Sequence, residues 1–183
     1  MTRHSAFMMA LCLNLLSYQA AAAESCGHPR GGQYAILRIC VSSLSYPDGK
    51  PAPAAMLDSV PDKYPWLFPF APDEFPPKMT IAVTDTSENI SALQVVNGWA
   101  PYDTTGAEAS QFDKFSRVKE VLIETSSGQS LRHTLQDTAA SQFLSLPQAA
   151  PESWVSMKVV SVYPGMSPIV ALRWFSIAWE EGL

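Results

Sequence analysis

Flat aromatic rings beside polar side chains are groups that can hold sugars: a ring face packs on the apolar face of a pyranose, and neighbouring donors and acceptors take its hydroxyls. This chain has two such clusters. Trp66, Phe68 and Phe70 fall in the proline-rich stretch "YPWLFPFAPDEFPPK", and Trp99 and Tyr102 fall in "NGWAPYD". Trp66, Phe70, Trp99 and Tyr102 are therefore candidate ligand-binding residues, with core packing as the competing use of the same rings. Arg117 and Lys119 follow in "KFSRVKEV". Spaced i and i+2, they are expected on one face of a strand, where they either grip an acidic group or pair with Glu124 and Asp137.

Other reactive residue types point less far. Asp103, Glu108 and Asp113 share the polar excursion from Ala100 to Lys114. They suggest either a solvated acidic loop or a surface that meets a protein partner, and their spacing matches no calcium loop, so no metal or other cofactor is expected. His133 alternates with Leu131 and Leu135 and reads as a histidine at the edge of a core or bonded to a backbone carbonyl; His28 lies near the expected mature start. Neither His sits in a recognisable Ser-His-Asp or Cys-His arrangement, so no catalytic residue is assigned and the chain is not expected to be an enzyme. "NIS" at Asn89 is a formal glycosylation acceptor.

The chain opens on "MTRHSAFMMALCLNLLSYQAAAAES", with Arg3, an apolar run from Ala6 to Leu16 and a small-residue stretch. That is the layout of a secretory signal, with cleavage expected after Ala23 and a periplasmic or secreted destination. The run is shorter than the ~20 apolar residues of a membrane helix, and no later run has that length. Residues 24–183 are then expected as one domain. Of three cysteines, Cys12 lies in the signal, which leaves Cys26 and Cys40 as an expected disulfide in an oxidising compartment. With 12 Lys and Arg against 17 Asp and Glu, and no basic cluster, the composition argues against nucleic acid and anionic membranes as partners.

The elements that must position these residues are strands. Short runs rich in Val, Ile, Leu and aromatics alternate with breaks of Gly, Pro, Asp, Asn and Ser, giving seven expected strands: "YAILRICV", "KMTIAVT", "SALQVVNG", "VKEVLIET", "SLRHTLQD", "WVSMKVVSVY" and "IVALRWFSIAW". An all-β sandwich follows. The proline-rich stretch between the first two strands is expected as an ordered loop packing its rings on one end of the sandwich. "DTAASQFLSL", residues 137–146, is the one helical candidate, with Asp137 or Thr138 as its cap and Pro147 as its stop.

These runs also carry a pattern. Asn97, Gly98 and Trp99 end an aliphatic strand, Arg117, Val118 and Lys119 begin another, Gly128 makes a turn, Leu135 and Asp137 follow, and Tyr163, Pro164 and Gly165 close a later strand. In this order they resemble the bacterial NADase-type glycan-binding domain, a branch of the discoidin-like, galactose-binding-like β-sandwiches. More loosely, Leu57, Asp58 and Trp66 look like a discoidin-type opening. The resemblance spans about residues 81–168 and implies a jelly-roll β-sandwich with long loops, acting as a secreted, non-enzymatic module for a glycan or envelope polysaccharide. Three departures stand out. Ser116 replaces the usual Asn, "PFAPDEFPPK" replaces a Gly-rich segment, and the closing strand reads "ALRWFSIAW" where a Ser-Glu pair is usual. These departures and the acidic balance favour the alternative, a protein-interaction module in the envelope such as an immunity protein occupying a secreted toxin.

Overall fold

The computed structural model describes residues 24–28, 37–50, 52, 65–71, 76–83, 89–99 and 111–179. The signal-like leader and the positions Leu57, Asp58, Tyr102, Asp103 and Glu108 lie outside them. Ten strands occur among the described residues: β1 (Ser25–Gly27), β2 (Leu37–Val41), β3 (Trp66–Pro69), β4 (Lys78–Val83), β5 (Ile90–Asn97), β6 (Phe115–Thr125), β7 (Ser130–Thr134), β8 (Ser141–Ala150), β9 (Trp154–Tyr163) and β10 (Ser167–Trp179). Among the described residues no helix is long and apolar enough to cross a membrane.

The strands form two layers. One runs β1-β2-β4-β9-β6-β7 with antiparallel neighbours, and the other runs β3-β10-β5-β8, also antiparallel. They join where the first residues of β6 run parallel to β10, with Ser167 opposite Phe115 and Val170 opposite Ser116. The alternation of β4, which buries Met79, Ile81 and Val83, shows how the period-2 pattern builds the core. Those side chains meet Val121, Ile123, Val155 and Met157 from their own layer and Leu93, Val95, Leu172 and Phe175 from the other. Full burial of such a side chain stabilises by about 1.5–3 kcal/mol, so this inter-layer cluster is the main source of stability.

Three expectations change. The proline-rich stretch contributes strand β3, whose partner strand among the described residues is β10 and which tolerates Pro69 at its end. Its Trp66 is 3% exposed and packs in the core, which removes it from any ligand surface. The expected helix at 137–146 is instead the turn before β8 and most of that strand. Leu144 and Leu146 point inward while Phe143 and Ser145 point out, a strand period that burial against β5 enforces over local helix preference. Pro147 sits inside β8, which among the described residues is laddered to β5 alone.

The other side of β8 is closed by side chains. Gln136 N–H donates to Gln142 Oε1 at 2.7 Å and Gln142 Nε2 donates back to the Gln136 carbonyl at 3.1 Å. Gln148 N–H and carbonyl are met in the same way by the Gln129 amide at 3.1 and 3.0 Å. Between these rungs His133 Nε2–H donates to the Ser145 carbonyl at 3.1 Å, which is the backbone-bonded histidine the sequence suggested. Side-chain amides thus zip β8 to the β7 segment and cover an edge that is otherwise open to pairing.

Candidate functional site

The candidate site lies where β5 ends and β6 begins, at the two ends of the 100–110 segment. Asn97 is fully buried at the end of β5. Its Nδ2 donates to the Val118 carbonyl at 2.6 Å and its Oδ1 accepts from Val118 N–H at 2.9 Å, so one side chain replaces a ladder rung and ties β5 to β6. Gly98 follows with φ +74°, and a Cβ there would lie 2.6 Å from ring carbons of Phe112. Only glycine meets both conditions. Gly98 N–H donates to the Ala171 carbonyl at 3.0 Å, which fixes where Trp99 leaves the sheet. The half-buried Trp99 then stacks on Phe115, with centroids 5.4 Å apart and planes 23° off parallel. Leu67, Ile169 and Ala171 complete this second apolar cluster, on the face of β3 and β10 opposite the main core.

Arg117 anchors the return. It is 6% exposed. Its Nε and Nη2 each donate to one Asp137 oxygen at 2.8 Å, and Nη1 donates to the Phe115 carbonyl at 3.2 Å. The guanidinium also lies 5.0 Å from the Phe112 ring centroid. Hydrogen bonding to Asp137 holds the guanidinium above its usual pKa range, and the same bond from Arg117 holds Asp137 below the usual carboxylate range. Such a planar fork stitches a loop to a sheet. Asp137, expected as a helix cap, is the ion-pair partner, and Glu124 faces Ser130 and Ser156 across its ladders.

Lys119 does not share the setting of Arg117. The β6–β9 register shifts between Val118 and Glu120, so Lys119 is the extra residue of a bulge. A bulge re-aims side chains, which is why simple alternation fails here. Lys119 is exposed, with Nζ 5.7 Å from the Tyr163 ring centroid. Tyr163 is half-buried and its hydroxyl donates to the Leu135 carbonyl at 2.9 Å. Lys114 Nζ lies in the same way 5.4 Å from the Phe115 centroid. Phe70 is half-buried against the main core, away from the Trp99 cluster. Asp113 is exposed, and its carbonyl accepts from Met166 N–H at 3.2 Å.

Two roles were not foreseen. Ser116, which stands where the resemblance has Asn, donates its Oγ–H to the Ser167 carbonyl at 2.8 Å and accepts from Gly165 N–H at 3.2 Å. Gly165 itself passes so close to the Phe115 carbonyl that any Cβ would collide with it. On another turn, Glu152 is fully buried and accepts from Ser126 Oγ at 2.6 Å and from Ser127 N–H at 2.8 Å and Oγ at 2.5 Å. Burial pushes its pKa up, but these hydrogen bonds outweigh it and hold the carboxyl below its usual range. The isolated "PES" that carries Glu152 has no sequence signal; a strand ending in Asn-Gly does hint at Asn97.

Cys26 and Cys40 form a disulfide between directly opposed residues of β1 and β2. The nearby Glu24 completes a trio of metal-ligating types, but disulfide sulfurs are not thiolate ligands.

No protein-family model matches the chain, and no curated protein matches it. Among solved structures, it is similar to the family 32 carbohydrate-binding module of C. perfringens NanJ, determined in complex with galactose. The TM-score is 0.52 at 10% identity, covering 80% of this chain and 95% of that one. At that identity the likeness establishes architecture: the chain has the galactose-binding-like β-sandwich fold.

Proposed function

We propose that this protein is a secreted, non-enzymatic glycan-binding module whose ligand meets the loop end around Trp99. The observation that carries the reading is Trp99, half-buried and stacked on the fully buried Phe115, with the exposed cations Lys114 and Lys119 set over neighbouring rings. Ring faces of this kind take the C–H surface of a sugar, and ammonium groups take hydroxyls or a carboxylate. Beneath them the polar groups are committed: Arg117, Asn97 and Ser116 bond inward, which makes the platform rigid and lowers the ordering cost of binding. The galactose bound by the family 32 module of the same fold supports sugar as the ligand class.

Calorimetric titration of the chain lacking residues 1–23 with galactose-terminated and uronic-acid glycans tests this reading. Binding is expected to be lost in Trp99→Ala, with the melting temperature nearly unchanged, and reduced in Lys119→Ala. Unchanged binding in Trp99→Ala removes the loop end from the site, and a collapsed Trp99→Ala fold assigns the ring to the core.

A further inference from the structure

The outer face of the β10-β5-β8 layer has a different chemistry from the loop end. At Leu172 to Trp174 the β10–β5 register shifts, so Phe175 turns into the core and Trp174 turns outward. Trp174 then shares a row with Val96 and Ser141, and the next row holds Ser176, Gln94 and Phe143. Phe143 is 62% exposed.

The polar groups on this face are chained and oriented. Trp174 Nε1–H donates to Ser176 Oγ at 2.9 Å, Ser176 Oγ–H donates to Gln94 Oε1 at 3.3 Å, and Gln94 Nε2 donates to Ser141 Oγ at 2.9 Å. That chain fixes the tilt of the indole and the direction of the amide. It leaves the second Gln94 N–H and the Ser141 hydroxyl hydrogen with donor capacity toward solvent. None of these residues is charged, and the neighbouring charge on β10, the bulge residue Arg173, is 8% exposed.

We infer that this face is a second binding surface, for an extended neutral oligosaccharide lying across β8 and β5 with its rings on Phe143 and Trp174. It rests on the glycan reading for its ligand class and on none of the loop-end residues for its site. Fixed amide and hydroxyl donors between two aromatics, with no carboxylate in these two rows, match a neutral polyol. Phe143 and Trp174 are two strands and one row apart, roughly 12 Å between backbones by sheet spacing, so one pyranose cannot touch both. The ligand is therefore a chain of sugars. A second protein copy adding a strand is disfavoured at the free side of β8, because Gln129, His133 and Gln142 already bridge that edge. The face also continues from the loop end, since the Trp99–Phe115 cluster covers the same side of β10 at Ile169 and Ala171.

The test titrates the whole mature chain with neutral galactan oligosaccharides of increasing length, starting from galactose, and repeats the series with Phe143→Ala, Gln94→Ala and Trp99→Ala. Affinity is expected to rise with length, and Phe143→Ala to lower it about tenfold for the longer chains only, the loss of one ring contact. Sedimentation is expected to show a monomer for wild type and Phe143→Ala. Equal affinities for wild type and Phe143→Ala at every length overturn the second surface, as does a wild-type dimer that Phe143→Ala dissociates. If Trp99→Ala abolishes binding while Phe143→Ala leaves it intact, the loop-end reading survives alone. Loss in Phe143→Ala with retention in Trp99→Ala supports the second surface and removes the loop end, and wild-type protein that binds no length removes both.

Discussion

The loop end and the outer face of β8 use polar side chains in opposite ways. At the loop end, Arg117, Asn97 and Ser116 direct their hydrogen bonds inward to Asp137, to Val118 and to the turn at Gly165, and the outward-facing groups are half-buried rings with lysines. On the β8 face, Gln94 and Ser141 lie at the surface, joined to each other and to a buried serine, with donor capacity left over. Polar groups that hold a loop cannot also hold a ligand. Arg117, which the sequence offers either as a gripping residue or as an ion-pair partner, takes the second role with Asp137, and on the proposed reading contact falls to side chains whose own bonds are incomplete.

The sharpest way to break this contrast is Asn97→Ala. It strands a buried N–H and a buried carbonyl of Val118, so a loss of about 3 kcal/mol is expected in denaturant unfolding. A loss under about 1 kcal/mol means that Val118 finds other partners and the stitch is not structural. Asp137→Asn comes next. It leaves the Arg117 guanidinium without its carboxylate, and because Asp137 is partly exposed the expected cost is about 2 kcal/mol, below the range for fully buried pairs.

That cost carries a sign in pH. Asp137 is held below the usual carboxylate range, so its contribution is complete above about pH 4 and disappears as the pH falls through the depressed value. Wild type and Asp137→Asn should therefore converge in acid. Glu152 gives a smaller version of the same behaviour away from the site. Glu152→Gln is expected to lose about 1–2 kcal/mol at neutral pH and to converge with wild type in acid, as charge-assisted bonds become neutral. A gap that does not narrow at all as the pH is lowered through and below the ordinary carboxylate range assigns either effect to packing and not to charge. Smallest of all is Gln94→Ala, expected within about 0.5 kcal/mol of wild type because its bond to Ser141 is exposed and its bond to Ser176 is long, at 3.3 Å. A larger loss would place the β8 face with the loop end as structural.

Much of the fold was legible because the chain alternates. Seven expected strands all exist, since a period of two with turn residues between runs has one cheap solution. Of the three strands not expected, β1 is only three residues long, and β3 and β8 were hidden for different reasons. Prolines masked β3, and an edge position excuses them. Within β8, "AASQFLSL" has adequate helix formers, and only the ladder to β5 decides for strand. The disulfide followed from elimination among three cysteines.

The site was less legible. Trp66 and Trp99 look alike in sequence, yet one is 3% exposed in the core and the other stacks half-buried on Phe115. Which way a ring faces depends on sheet register and bulges, which are long-range properties. The bulges at Lys119 and near Arg173 each redirect a side chain that simple alternation misassigns.

The most direct test of the account is an amide chemical-shift titration of residues 24–183 with a galactose-terminated glycan. The account predicts perturbations grouped at 97–99, 112–119 and 163–167, with little change at Glu152 or in β1 and β2. Perturbations confined to other regions, or no saturable change at all, would contradict the loop end as the place where this protein meets its ligand.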